Sequence, residues 1–215
     1  MAALSDYVLG ESLYEAAETQ VRRAVHRESG ATVALKTPVA TMPGARVVGC
    51  LAHEYQVLMQ LSAVPGVVCA RALEQHDGTV ALVLEDQGFR SLDWLLAERE
   101  RLPIDVGLRL GLRVARALEG VHAAGLMHKD IKPRNVLVDE ALERALLTDF
   151  SIASRLSAEA TAPSAPEALE GTLAYISPEQ TGRTARALDE RTDLYSLGVM
   201  LFEMLAGRPV CSGEM

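Results

Sequence analysis

Aromatic residues make up only 4% of the 215-residue chain, with one Trp and three Phe. A core must therefore be filled mainly by Ala, Leu and Val. At 49% hydrophobic and 23% charged, the composition still suits a globular protein and not a disordered one. Cysteine is scarce as well. Cys50, Cys69 and Cys211 are odd in number, far apart and in no C-x-x-C pattern, so they read as free thiols in a reducing compartment. Positive charge is in deficit, with 21 Lys plus Arg against 29 Asp plus Glu and a net charge of −8. That balance argues against nucleic acid or an anionic membrane as a partner, and any phosphate chemistry must come from a local site. No long apolar run is present: the stretch 194–206 is interrupted by Glu203 and is too short to span a bilayer. The N-terminal MAALSDYVLG lacks the basic and apolar regions of a signal peptide, so the expected location is cytoplasmic.

What is present divides in two. Residues 6–36 read as β-rich, with strands around 7–13 and 19–26, a turn at Glu28-Ser29-Gly30, and a third strand over 32–36. After Pro43-Gly44, Leu51, Tyr55, Leu58 and Leu61 recur at helical spacing, which predicts a helix over 45–62. Pro65-Gly66 closes it. Two further strands are expected over 67–73 and 79–85 around a turn at 76–78. Beyond Asp86 the pattern turns helical. Ser91 is a candidate N-cap for a helix over 92–99, and Pro103 a candidate first residue of a longer one. In that helix Ile104, Leu108, Ala115, Leu118 and His122 share a face, and Gly125 stops it. Residues 136–138 and 145–148 suggest a small hairpin, and 157–170 a loop. Leu194, Leu197, Leu201 and Leu205 fall on one side of a final helix expected to be buried on most faces.

The chemistry concentrates in His128-Lys129-Asp130-Ile131-Lys132-Pro133-Arg134-Asn135, then an apolar strand and Asp149-Phe150-Ser151. Oxygen donors such as Asn135 and Asp149 suit Mg2+, which is commonly held by few protein groups together with phosphates. The remaining carboxylate, Asp130, can orient and deprotonate a hydroxyl, and Lys132 can neutralise a moving phosphoryl group. Taken singly, each is an ordinary surface polar residue. The whole string is far more specific.

This string resembles the catalytic loop and metal motif of the eukaryotic-type protein kinases, and the likeness extends in order from about residue 7 to 211. Val33-Ala34-Leu35-Lys36 resembles the strand bearing the ATP-contacting lysine, and Glu54 the glutamate that pairs with it. Leu84-Glu85-Asp86-Gln87 resembles the gatekeeper and hinge, where backbone groups of Glu85 and Gln87 bind adenine. Gly171-Thr172 and Ser177-Pro178-Glu179 resemble the end of the activation segment. Asp193 with Ser196-Leu197-Gly198 resembles the helix anchoring the catalytic loop. Lys132 and Thr172 are the types found in Ser/Thr kinases. The run GTLAYISPEQTGR is similar to the N-terminal kinase module of bacterial hybrid proteins that continue into an ATPase-like region, a GAF sensor and a histidine kinase.

The resemblance implies an α+β, bilobal fold: a five-stranded antiparallel lobe with one helix over 1–86, and an incomplete, mostly helical large lobe over 87–215. It implies ATP and Mg2+ as cofactors, a protein substrate offering Ser or Thr, and further domains downstream in the same polypeptide. Asp130 and Lys132 become the expected catalytic residues, and Asn135 and Asp149 the metal ligands. Val21, Ala34, Lys36, Glu54, Leu84, Glu85 and Gln87 become the expected nucleotide contacts.

The chain departs from the family in several places. Counting back from Lys36 at the family's spacing puts the three loop glycines on Tyr14, Ala16 and Thr19, which implies a stiffer phosphate loop. Ser151 replaces the glycine after Asp149-Phe150, and Lys129 an arginine. Ser151, Ser154, Ser157, Thr161 and Ser164 are candidate phosphorylation sites. The stop at Met215 reads as truncation of a longer protein: it removes the arginine partner expected for Glu179, and weak activity is expected. These departures keep open a pseudokinase-like ATP-binding module regulating a histidine kinase. A small-molecule phosphotransferase with a similar loop fits less well, because the 171–179 segment suits a peptide.

Overall fold

Strands β1 (Tyr7–Glu15), β2 (Thr19–His26) and β3 (Thr32–Pro38) form a meander, followed by helix α1 (Ala45–Gln60) and strands β4 (Ala70–His76) and β5 (Thr79–Glu85). The structure is a computed structural model and describes residues 6–76, 79–99, 101–156, 174–182, 186–208 and 210. The expected turn residues Asp77 and Gly78, the 157–170 loop with Ser157, Thr161 and Ser164, the pair Gly171-Thr172, and Cys211 lie outside the described residues.

The chain divides into two compact units, one of residues 1–62 and 68–88, the other of residues 63–67 and 89–215. In the first, all five strands pair antiparallel in the order β1-β2-β3-β5-β4. β3 and β5 are interior strands buried on both faces, which is why they read as near-continuous Val, Ala and Leu. One face gathers Tyr7, Ala24, Val33, Leu35 and Val83. Tyr7 Oη donates to Glu74 Oε1 at 2.8 Å, joining β1 to β4, the first and last strands of the sheet order. Burial first, then that carboxylate, pushes the Tyr7 hydroxyl up to about 12. α1 packs on β4 and β5 through Leu51, Val57 and Leu58.

β4 starts three residues later than the 67–73 run suggests. Val67 and Val68 are buried, but Val67 forms a parallel bridge to Leu147 of the second unit. A short apolar run marks burial without saying which neighbour provides it.

The second unit contains β6 (Arg90–Ser91), α2 (Leu92–Arg99), α3 (Ile104–Ala123), β7 (Leu126–Met127), a 3-10 turn (Pro133–Asn135), β8 (Val136–Val138), β9 (Ala145–Leu147), β10 (Ser154–Arg155) and α4 (Arg191–Ala206). The expected hairpin is β8–β9, with β6 added alongside β8. Ser91 belongs to β6, and Pro103 precedes α3 as its cap residue instead of starting it.

The face predicted for α3 is rotated. Its buried residues include Gly107, Leu110, Gly111, Val114, Leu118 and Val121, while Ile104 is 70% exposed and Leu108 is exposed too. The reason lies in the helix pair. A Cβ on Gly107 would fall 2.7 Å from Leu205 Cδ2, and one on Gly111 3.2 Å from Leu201 Cδ1, so the two glycines form the seam on which α4 lies. α4 is not buried on most faces either. Leu194, Tyr195 and Phe202 are exposed, and its buried face includes Thr192, Asp193 and Ser196 beside Val199, Met200 and Met204. Polar residues turn inward there because each has a partner: Asp193 bonds the backbone N–H groups of His128 and Lys129, Thr192 bonds Glu179, and Ser196 bonds the Tyr175 carbonyl.

Gly66 shows how tightly residues 63–67 are held. Its φ is +85°, and an added Cβ would sit 2.8 Å from Ala117 Cβ. Gly66→Ala combines backbone strain with a clash and is expected to cost about 2 kcal/mol or more in urea unfolding. Gly30 has a φ of +67° with nothing within 4 Å, so Gly30→Ala isolates the backbone cost at about 1 kcal/mol. Equal costs would mean the Ala117 contact is relieved without penalty.

Candidate active site

The site in the second unit is built on a buried carboxylate. Asp193, in the first turn of α4, is fully buried and accepts three hydrogen bonds. The His128 N–H donates to Oδ2 at 2.9 Å and the Lys129 N–H to Oδ1 at 2.7 Å, while His122 Nε2 lies 2.8 Å from Oδ2. These bonds hold the loop after β7. Lys129 adopts a left-handed φ of 69° and Asp149 one of 63°, unusual for residues with a Cβ.

His128 ties the two motifs together. The Asp130 N–H donates to its Nδ1 at 3.3 Å, so Nε2 carries the proton and donates to the Thr148 carbonyl at 3.0 Å. Its ring lies 4.4 Å from that of Phe150. The short 3-10 turn then brings the polar groups together. Asp130 Oδ2 accepts from Lys132 Nζ at 2.6 Å and from Asn135 Nδ2 at 2.9 Å. Asn135 Nδ2 also donates to the Asp130 carbonyl at 2.9 Å, which commits its nitrogen and leaves Oδ1 as the atom suited to a cation. The Thr148 N–H donates to the Asn135 carbonyl at 3.0 Å, setting Asp149 one residue beyond that link. Among the described residues no group of three or more His, Cys, Asp or Glu is placed to hold a metal ion. The donor set of Asn135 and Asp149 is all oxygen, so it fits a hard divalent cation that takes its other ligands from phosphate and water.

The first unit brings its own set together. Lys36 Nζ donates to Glu54 Oε2 at 2.7 Å, with side chains only 6% and 0% exposed. Val21 pairs with Lys36 across the ladder and Ala34 with Leu84, and alternation puts all four on one face. The Glu85 N–H is taken by the Cys69 carbonyl at 2.9 Å. Asp86 is held by an ion pair from Arg23 and accepts the Gly88 N–H at 2.8 Å, which shapes the segment containing Gln87. The β1–β2 turn closes without glycine: the Ala16 N–H donates to the Thr19 carbonyl at 2.8 Å. Its Glu18 is tied to Arg46 of α1, and the Glu18 carbonyl accepts the Val39 N–H at 2.9 Å.

Two groups escape a reading of local motifs. Arg23 looks like any charge on a partly exposed strand, and Gln180 like any residue of a turn. Glu179, expected to lose its cation, accepts a hydrogen bond from Thr192 Oγ1 at 3.0 Å and is only partly buried. Beside Lys132, a cavity of about 710 Å³ is lined by Asp93, Leu96, Ala97, Pro133, Arg134, Tyr175, Glu203 and Gly207. Burial, then the hydrogen bond to Glu203, raises the Tyr175 hydroxyl well above its ordinary value.

This combination of a five-stranded antiparallel sheet unit, a mostly helical unit and a carboxylate held by a lysine and an asparagine defines a phosphotransferase of the kinase class. The protein kinase domain family matches residues 7–215, and the chain belongs to that family. The family uses ATP with a divalent metal and acts on proteins. The chain is 37% identical over 150 residues to a probable serine/threonine-protein kinase of Clostridium perfringens, covering 70% of this chain and 21% of the relative. It is 32% identical over 223 residues to the serine/threonine-protein kinase PkaA of Streptomyces coelicolor, covering 97% of this chain and 40% of the relative. It is also 27% identical over 212 residues to the human dual specificity testis-specific protein kinase 1, covering 97% of this chain and 33% of the relative. The chain therefore spans well under half the length of these relatives. No helix among the described residues is long and apolar enough to cross a membrane.

Proposed function

We propose that this chain is the kinase module of a protein serine/threonine kinase, transferring the γ-phosphoryl group of ATP to Ser or Thr hydroxyls. The observation that carries the reading is the Asp130 carboxylate, fixed by Lys132 and Asn135 on a loop anchored by Asp193. Asp130 orients the acceptor hydroxyl and takes its proton as the oxygen attacks phosphorus. The bond from phosphorus to the bridging oxygen breaks, and ADP leaves with that electron pair. Lys132, now bonded to Asp130, is within reach to neutralise charge on the moving group.

Asn135 and Asp149 would hold Mg2+. When bound, the metal neutralises phosphate charge. Lys36, kept in place by Glu54, would grip the α- and β-phosphates. Val21, Ala34 and Leu84 supply the apolar face for adenine, with the backbone of Glu85 and Gln87 at its edge. Residues 1–86 are thus assigned to nucleotide binding and 87–215 to transfer. The cavity beside Lys132, with its Asp93–Arg134 ion pair and Glu203, suits a polar peptide from the protein substrate. We place the module in the cytoplasm, at the head of a longer polypeptide that continues into signalling domains of the hybrid histidine-kinase type.

A second reading, a pseudokinase-like ATP-binding regulatory module, is favoured by the glycine-free turn with its tied Glu18 and by Ser151. One experiment separates the two. The chain is incubated with γ-labelled ATP, Mg2+ and a mixed protein substrate, followed by phosphoamino-acid analysis. Mg2+-dependent label on Ser and Thr is expected. Nucleotide binding without transfer selects the regulatory module, and absence of nucleotide binding refutes both.

A further inference from the structure

Lys129, the residue before Asp130, is clamped through its two flanking peptide groups from two distant places. Asp193 takes the Lys129 N–H, and Gln180 Nε2 donates to the Lys129 carbonyl at 2.9 Å. The other end of the same amide is also used: Gln180 Oε1 accepts the Ser177 N–H at 3.1 Å. The two bonds fix the amide's orientation, since the reverse would set oxygen against carbonyl and nitrogen against N–H. Gln180 is itself placed by a tight turn, in which its own N–H donates to the Ser177 carbonyl at 3.1 Å and the Gly182 N–H to the Glu179 carbonyl at 3.2 Å. Between the two clamps, Lys129 keeps its left-handed φ of 69°. A residue with a Cβ holds that conformation only where its surroundings impose it.

We propose that Gln180 is a positioning residue: its side-chain amide bridges the Ser177–Gln180 turn to the Lys129 carbonyl and thereby sets the direction in which Asp130 is presented. The proposal rests on the kinase reading for its catalytic consequence, but the bridge itself can be tested without it. Serine and proline in that turn could be met by many side chains. A donor and an acceptor at the reach of glutamine are needed to join it to the loop.

Two variants separate the bonds. Gln180→Glu keeps an oxygen for the Ser177 N–H and loses the donor to Lys129. Gln180→Met keeps the length and loses both. In each, kcat is expected to fall about ten-fold, with KM for ATP within about two-fold of the parent. Amide hydrogen exchange at Asp130 should accelerate in both variants, and exchange at Ser177 only in Gln180→Met. Unchanged kcat in Gln180→Glu overturns the proposal. So does a rise in KM for the protein substrate with kcat intact, which makes Gln180 a docking residue instead. Should the parent chain show no Asp130-dependent transfer, the kinase reading fails. Exchange at Asp130 then decides the bridge alone: acceleration in both variants supports it and no change overturns it.

Discussion

Asp130→Asn is expected to lower the rate of phosphoryl transfer by about 1,000-fold while leaving Mg-ATP affinity within about two-fold. The substitution is nearly isosteric. It keeps an oxygen to accept from Asn135 Nδ2 or Lys132 Nζ, so the loop has no steric reason to rearrange. What disappears is the negative charge and the basic oxygen that takes the hydroxyl proton. The nucleotide contacts assigned to Lys36, Val21 and Leu84 lie in the other unit and do not change. Single-turnover transfer from labelled ATP, with nucleotide affinity measured separately by titration, checks both halves. A variant that retains a tenth of the parental rate would show that Asp130 is not the group that orients and deprotonates the acceptor.

The second large effect belongs to the buried pair in the first unit. Lys36→Met removes the ammonium facing Glu54, whose side chain is fully buried. Leaving a carboxylate in that environment without its cation is expected to cost about 3–5 kcal/mol of stability. Mg-ATP binding should be lost in the same variant. The two consequences can be pulled apart. Replacing both partners, as in Lys36→Met with Glu54→Leu, removes the buried charge altogether and should recover most of the stability, because a packed apolar pair offsets the lost ion pair. Nucleotide binding should stay lost. Chemical denaturation and nucleotide titration of the three proteins provide the measurement. If the double variant binds Mg-ATP, Lys36 is not a phosphate contact. If Lys36→Met is as stable as the parent, the pair's burial carries no energetic consequence.

Such a pair shows how a reading of the chain in short windows reaches the candidate groups that the fold brings together. Lys36 ends a short apolar run and Glu54 lies on a helical face, and each is recognisable beside its neighbours. The same holds for Asp130, Lys132 and Asn135, which lie within one loop and its 3-10 turn and need only local geometry to meet. The hairpin β8–β9 and all five strands of the first unit are legible for the same reason. Where window-based reading fails, the deciding contact is remote. On α3 the predicted Leu118 is buried and His122 reaches Asp193 of α4, but Ile104 and Leu108 turn outward and Gly107 and Gly111 face α4, because Leu201 and Leu205 approach too closely there for a Cβ. Val67 leaves the strand pattern because its partner is Leu147.

The glycine-free turn is a mixed case. Its residue types announce a departure from the family, but the tie from Glu18 to Arg46 is visible only in the fold. That exposed ion pair joins the segment expected to cover the phosphates to α1, a link between two elements that the missing glycines alone do not announce.

Read alone, the chain's residues determine its family and its β-rich and helical halves, and they single out the side chains proposed to carry the chemistry, since strand runs, helical spacing and one compact motif are local properties. Only the tertiary structure decides how those side chains are held. Asp193 and Gln180 reach the backbone N–H and carbonyl of Lys129, the residue before Asp130, from 64 and 51 residues away along the chain. A hydrogen bond across such a separation depends on where packing sets two backbones, and no pattern within a window of sequence records that.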